Sequence, residues 1–594
     1  MLLDVEQALT ARFPGIFTNQ PQFITRPLIK FFRMILHERE INHFLAANSD
    51  VGAFEFIARV LDYFSFGYTV SSLDQENIPA SGRLIIIANH PLGALDAMAL
   101  IRMVSTVRRD LKVVANDLLM NIEPVRSLLL PVDTFGGATR RDAIVRINES
   151  LERDEAIIFF PAGEVARAGL TGIHDGRWKS GFLRVALKCN SPLLPIQITA
   201  RNSLLFYGLS FLYKPFATLL LVDEMFKQRG KIIHFQIGEP IPARALQHPS
   251  LTIKTHVRLI RRHCQRVFRG KQGLFVTERV IAYPEDRRAL KREIASAQLL
   301  GKTPDEKLIY LFVANSDSAL LREIGRLREL AFRAVGEGTG KRRDIDNYDT
   351  YYQHIVLWDA DELEVIGAYR IAEAKTILAR YGLSGLYIHS LFELHSGLTP
   401  FLESGLELGR SFVQPRYWGS RALDYLWQGI GAYLKIHPEV LFLFGPVSIS
   451  HSYPPLAKAL LVNFYRHYFG DLPELVVARN PYRSSATESE MCKRILSGTN
   501  YETDFRTLKK QLAELRCTIP TLYKQYSDLC EAGGVHFLDF SIDSAFQECI
   551  DGFLLVEVEK IKQSKRQRYI NPENNSLLSS QESTALSTNQ SENC

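Results

Sequence analysis

Between Arg83 and Ile198 the chain alternates short apolar runs with helix-like stretches, and this pattern restricts the fold more than any other feature. RLIIIAN, LKVVAN, AIIFFP and SPLLPIQI read as strands. A helix from Ala97, one near Ile122 to Leu130, one from Arg141 and one from Ser180 lie between them. Runs that are apolar at every position need cover on both faces, so the expectation is an α/β domain with a central sheet flanked by helices. KIIHFQIGEPIP adds a late strand.

The first of these strands runs into Asn89-His90-Pro91-Leu92-Gly93, with Asp96 shortly after. Pro91 turns His90 away from helical geometry and Gly93 permits a tight bend, which places the imidazole at the rim of the sheet. A histidine beside a carboxylate can deprotonate a hydroxyl near neutral pH. Asp96 is equally a good N-cap, and His90 an ordinary polar loop residue.

Asn-His-Pro-x-Gly-x-x-Asp resembles the first block of the glycerolipid acyltransferases, where the histidine is general base and the aspartate orients it. That family usually has four residues between the two; here Pro91 to Leu95 make five, which implies a bulge around Gly93. The longer form resembles the ornithine-lipid synthase branch. Three further blocks follow in family order. Gly136 to Arg141 resembles the block whose arginine binds an anionic group of the acceptor, which implies that role for Arg140 and Arg141. Phe160-Pro161-Ala162-Gly163-Glu164 resembles Phe-Pro-Glu-Gly, with Ala162 in place of the glutamate and carboxylate chemistry moved to Glu164, beside Arg167. Ser191 to Ile196 resembles the apolar fourth block. The resemblance implies acyl transfer from a thioester, with His90 and Asp96 catalytic and Asn89, Arg140, Arg141, Gly163, Glu164 and Arg167 binding substrate. Backbone N–H groups near Gly163 are the expected oxyanion donors, and no metal is required.

With 594 residues the chain exceeds one hydrophobic core. The pattern changes after the charged stretch Pro284 to Pro304. LIYLFVA is followed by a helix from Ser318 to Val335. HIVLWDADELEVIGAYRI then reads as a β-hairpin, with later strands at GLYIHSLFEL, GLELGRSFVQP and VLFLFG. The expected divisions are a helical, membrane-associating region at 1–80, the α/β domain at 81–283, a linker at 284–304, an α+β domain at 305–563 and a disordered tail at 564–594. In LELGRSFVQP the odd separation of Glu407 and Arg410 would send them to opposite faces of a regular strand, and a β-bulge at Gly409 would return both to one face. An exposed ion pair is the plainer alternative.

LRELAFRAVGEG, DIDNYD, EVIGAYRI and ELGRSFVQP resemble the GNAT superfamily of N-acyltransferases, most closely the ornithine N-acyltransferase branch related to acyl-homoserine-lactone synthases. The likeness implies that Glu407 receives the proton of an attacking amine. It gives Arg328, Phe332, Asp346, Asp349, Arg370 and Arg410 substrate-binding roles. Gln414 to Ala422, QPRYWGSRA, holds one glycine where coenzyme-A-binding relatives have a Gly-rich pyrophosphate loop, so acyl carrier protein is the expected donor ahead of acyl-CoA.

The expectation is a bifunctional acyltransferase of bacterial aminolipid synthesis with no bound cofactor, acting on an amino acid and then on its lyso-lipid. The alternatives are a lysophospholipid acyltransferase fused to a GNAT domain of other specificity, and a non-catalytic membrane scaffold. A net charge of +6 over this length makes no case for nucleic acid. Seven scattered cysteines without CxxC spacing suit reduced thiols and not zinc. The acidic start MLLDVEQALTARF does not read as an export signal. Ser203 to Val222 is long enough to span a bilayer, but Lys214 and Pro215 interrupt it. Basic and apolar residues interleave from Ile24 to Ile35, and Arg258 to Lys271 is strongly basic. Both suit an anionic surface or an acidic carrier, and the expected location is cytoplasmic, peripheral on the inner face of the plasma membrane.

Overall fold

Leu84–Ala88 is a strand buried at every residue, and its side chains divide by parity. Leu84, Ile86 and Ala88 enter one apolar cluster, Ile85 and Ile87 another. Because both faces of the sheet are packed, the strand lacks polar alternation. The computed structural model describes residues 4–6, 10, 22–116, 120, 122–132, 139–169, 172–212, 220–248, 250–315, 317–472 and 475–571. The chain divides into two units, Met1–Val280 and Ile281–Cys594.

The strands of the first unit are β1 (Gly67–Val70), β2 (Leu84–Ala88), β3 (Leu111–Ala115), β4 (Leu129–Pro131), β5 (Ala156–Phe159), β6 (Arg167–Gly169), β7 (Gly172–His174), β8 (Leu193–Thr199) and β9 (Ile232–Ile237). Seven form one sheet in the order β1-β9-β8-β2-β5-β3-β4, while β6 and β7 pair separately. β2 lies parallel between β5 and β8, and β9 runs antiparallel to β8. Helix Ala53–Tyr63 covers one face through Phe56, Ile57, Val60 and Leu61. Helices Gly181–Lys188 and Ile253–Val267 cover the other through Phe182, Leu183, Val257 and Ile260. The carboxyl end of β2 therefore opens where open α/β sheets place their ligands.

Several local expectations change. The helix expected from Ala97 begins at Ala94, with Gly93 as its N-cap in place of Asp96. The stretch near Ile122 to Leu130 is a 3-10 turn, Glu123–Leu128, that runs into β4. Within the helical region expected at 1–80, β1 joins the sheet edge beside β9. Of Ser203 to Val222, Leu204–Leu212 is helical and 213–219 lies outside the described residues. Among the described residues no helix is long and apolar enough to cross a membrane.

The second unit holds β10 (Gln298–Lys302), β11 (Leu308–Val313), β12 (Gln353–Asp359), β13 (Glu364–Glu373), β14 (Phe392–Leu394), β15 (Gly405–Val413), β16 (Phe442–Ile449), β17 (Val476–Ala478), β18 (Val535–Asp543) and β19 (Cys549–Glu557). Eight make one sheet, β10-β11-β12-β13-β15-β16-β19-β18. β12 and β13 pair antiparallel, as the expected hairpin requires. The stretch 284–304 is no linker: Arg287–Ile294 is a helix whose Leu290 and Ile294 enter the core, and β10 is the sheet's edge. GLYIHSLFEL is mostly 3-10 turn with a short β14. The expected tail begins with a helix, Gln563–Tyr569, whose buried Tyr569 hydroxyl donates to Asp424 at 2.9 Å; 572–594 lies outside the described residues.

β15 and β16 are the only parallel neighbours in this sheet among the described residues, and they pair only from Gly405–Phe442 to Glu407–Phe444. Beyond Glu407 each stays paired with its outer neighbour alone, so the sheet parts between them.

Candidate active sites

His90 follows β2 by two residues. Its Nδ1 lies 3.3 Å from Asp96 Oδ1, and the imidazole keeps 18% of its side-chain surface exposed while the carboxylate keeps none. The Asp96 oxygens also accept the N–H groups of Leu92 and Ala97, each at 2.8 Å. These bonds hold the carboxylate in the bend that Gly93 makes possible at φ +105°. The His90 ring stacks on Phe160 at 4.1 Å, and its backbone carbonyl accepts Ala166 N–H at 2.9 Å. With Nδ1 turned toward the buried carboxylate, Nε2 is the nitrogen left to take a proton.

The other expected residues divide. Asn89 spends both ends of its amide on the backbone of Ile198, at 2.9 and 2.6 Å, and so ties β2 to β8 instead of facing a substrate. Gly163, at φ +67°, donates its N–H to Phe160 at 2.9 Å, so that N–H is not an oxyanion donor in this structure. The Lys179 ammonium lies over Gly163, 3.1 Å from where a Cβ would stand. Glu164 reaches Arg167 at 3.5 Å, and its carboxylate lies 2.6 Å from where a Cβ at Gly176 would stand. Gly136 to Ala138 lie outside the described residues; Arg140 and Arg141 occupy the first turn of helix Thr139–Glu152, with side chains likewise outside them.

Asp175 was not legible as a site residue. Its carboxylate accepts the His90 backbone N–H and Trp178 Nε1 at 3.4 Å, and burial raises its pKa against those bonds. It comes from the loop after β7, with no motif to mark it.

In the second unit Glu407, 1% exposed, sits where β15 and β16 part. Its carboxylate accepts the Tyr352 hydroxyl, Ile388 N–H at 2.7 Å and Tyr387 N–H at 3.2 Å. Burial raises its pKa and these donors pull it back. The bulge anticipated in β15 is present: the three residues from Ala368 to Arg370 face the four from Gly409 to Phe412, and Arg410 itself takes φ +49°. Glu407 and Arg410 thus both reach Tyr387, Arg410 lying 4.8 Å above its ring.

Arg328, Arg370 and Arg410 form a buried network with Asp344, Asp346 and Asp349. Arg328 is spent on Asp349 at 2.7 and 2.9 Å and on Asp344 at 2.9 Å. Burial pushes the Asp349 carboxyl up, but the guanidinium groups of Arg328 and Arg370 outweigh it and hold the group well below the usual carboxylate range. The DIDNYD motif makes a capping box in which Asp346 and Asp349 exchange backbone bonds. Arg370 reaches Asp346 and Asp349 through Nη1 alone, at 2.6 and 3.1 Å, while its Nε and Nη2 have no hydrogen-bond partner among the described residues. Phe332 meets Phe546 at 5.1 Å, and Arg410 covers Phe546 at 4.4 Å. Tyr352 and Tyr387, absent from the expected set, complete this site.

The two candidate sites are a histidine–carboxylate pair at the end of a central parallel strand and a buried glutamate where a second sheet parts, and the chain is an acyltransferase by the two families it matches. Residues 8–270 match the family described as Acyltransferase, and residues 327–428 the acetyltransferase (GNAT) domain. The chain is 30% identical over 305 residues to a glycine N(alpha)-acyltransferase of Bacteroides thetaiotaomicron, which covers 49% of this chain and 89% of that protein. It is 30% identical over 248 residues to a lyso-glycine lipid O-acyltransferase of the same organism, 41% of this chain and 89% of that protein. An L-ornithine N(alpha)-acyltransferase of Brucella abortus is 29% identical over 209 residues, 30% of this chain and 72% of that protein. The chain belongs to these families of N-acyltransferases and lyso-lipid O-acyltransferases.

Proposed function

We propose that this chain builds an aminolipid in two acyl transfers. The second unit moves a hydroxy fatty acyl group from a thioester to the α-amine of an amino acid. The first unit then esterifies the new hydroxyl from a second thioester. Joining both on one chain shortens the path of a poorly soluble lyso intermediate.

His90 against buried Asp96 at the mouth of β2 is the observation that carries the reading. Nε2 takes the hydroxyl proton as the oxygen attacks the thioester carbonyl; the C–O bond forms, the C–S bond breaks and the thiol leaves with a proton. In the second unit the α-carboxylate binds the unpartnered edge of Arg370, and the α-amine attacks. Its proton passes to Glu407 through the Tyr352 hydroxyl, which burial and the carboxylate beside it keep protonated.

Carrier-bound acyl groups are the donors in this reading. In the loop after β15 the N–H groups of Tyr417, Trp418, Ser420 and Ala422 are bonded within the loop, which leaves few for a pyrophosphate. Helix Gln22–Ile35 exposes Arg26, Lys30 and Arg33 beside Phe31 and Met34, the mix that holds a protein at an anionic membrane face.

The test is the lipid mass spectrum of a bacterium without aminolipids that expresses the full chain. A diacylated aminolipid is expected, its head-group mass separating glycine from ornithine. Absence of any N-acylated lipid, with folded protein present, overturns the proposal.

A further inference from the structure

Helix Ile253–Val267 is divided cleanly in two. His256, Val257, Ile260, His263 and Cys264 face the core, and a Thr252 cap fixes its start. The outer face carries Lys254, Arg258, Arg262 and, just past the helix end, Arg269, all exposed. The first three repeat every fourth residue and so form one stripe, about 12 Å long at 1.5 Å per residue. Among the described residues none of these four has a carboxylate within ion-pairing distance, whereas the basic residues Lys562 and Lys565 elsewhere are both answered by Asp528. A row of like charges left unbalanced repels itself, and an acidic partner relieves that repulsion.

The stripe is also tied to the catalytic bend. Arg261, on the same helix, donates Nη2 to the Asp175 carbonyl at 3.0 Å, and the Asp175 carboxylate accepts the His90 backbone N–H. We propose that this face is the docking surface for a small acidic carrier protein that delivers the acyl thioester to His90. The inference rests on the O-acyltransferase reading of the first unit. A membrane surface is the less suitable occupant, because no large apolar side chain stands among the exposed basic residues to enter the acyl boundary.

The experiment compares two donors with the same acyl chain, acyl carrier protein and acyl-CoA, on the full-length protein and on its R258E/R262E variant, with lyso-aminolipid as acceptor. The expected result is a KM for the carrier-bound donor raised about tenfold with kcat retained, and a KM for acyl-CoA changed less than about twofold. Wild-type KM for the carrier should also rise with salt. Equal losses on both donors, an unchanged carrier KM, or loss of binding to anionic phosphatidylglycerol vesicles in place of the carrier effect each overturn the docking proposal. Turnover by the wild type with acyl-CoA and none with the carrier-bound donor overturns it too, while leaving the O-acyltransferase reading intact. No O-acylation from either donor overturns that reading instead.

Discussion

His90 Nδ1 lies 3.3 Å from Asp96 Oδ1 although five residues separate them, because Gly93 takes φ +105° and the helix begins only at Ala94. If this pair performs the O-acyl transfer, His90→Ala should lower it by roughly 100- to 10,000-fold while N-acylation continues, so that monoacylated lyso-lipid accumulates. O-acylation at the wild-type rate in the folded variant would reject the role of His90.

Asp96→Asn tests the orienting role separately. The asparagine places its NH2 group either at the Oδ1 position, facing the imidazole and Ala97 N–H, or at the Oδ2 position, facing Leu92 N–H, so a buried backbone donor loses its acceptor at about 1–3 kcal/mol. Thermal melts should show that loss alongside a fall in O-acylation. A stable, fully active variant contradicts both.

Glu407→Gln should abolish most N-acylation and spare O-acylation of supplied lyso-lipid. Tyr352→Phe, which removes the hydroxyl that donates to Glu407, should lower kcat more than it raises KM for the amino acid. An unchanged kcat in the Phe variant would exclude the hydroxyl as the proton's route.

Arg328 is predicted to hold the fold and to touch no substrate. With its guanidinium spent on Asp344 and Asp349, Arg328→Ala leaves the first buried carboxylate to Arg410 and the second to Arg370, each short of its nearest cation, at a cost of about 3–5 kcal/mol. Chemical denaturation measures this directly. A variant of full stability with a raised KM would assign Arg328 to the substrate after all.

The Asp551 carboxyl should cost the second unit stability as pH rises from about 4 to about 7. Burial and the neighbouring Asp543 push the buried Asp551 carboxyl up to about 7, so the folded state holds a proton that the unfolded state releases near pH 4. Its stabilisation is complete below the unfolded pKa and is lost as pH climbs through the folded value. Asp551→Asn keeps the uncharged form, and should match wild type near pH 4 and exceed it by a few kcal/mol at pH 8. Parallel stability curves at every pH would dismiss this linkage.

Gly445 should tolerate no side chain. At φ +154° its Cβ would stand 1.9 Å from the Leu408 carbonyl oxygen, beside the point where β15 and β16 part. Gly445→Ala is expected to cost more than about 2 kcal/mol, read as a lower Tm, with N-acylation falling more than O-acylation.

The strand-and-helix course of the first unit was readable because burial on both faces leaves a local trace in every strand, as in Leu84 to Ala88. The bulge in β15 was readable because Glu407 and Arg410 stand an odd number apart around Gly409, although the left-handed residue turned out to be Arg410. The stretch 284–304 misled because only Leu290 and Ile294 of its helix are buried, while Glu293, which local pattern reads as a solvated charge, accepts from Ser318, Ala319 and Leu320 at the start of another helix.

By itself the sequence determined the two-part composition of the chain, the central buried strands and the placement of His90 at a strand's end, since periodicity and backbone restriction act over a few neighbouring residues. Tertiary structure alone decided that Asn89 clasps Ile198, that Arg328 is consumed by Asp344 and Asp349, and that the Tyr352 hydroxyl donates to Glu407. It also brought Asp175 beneath His90. Each of these depends on hydrogen-bonding groups brought together from distant points of the chain. A polar side chain's type does not reveal which partner it will meet; only the packing around it does.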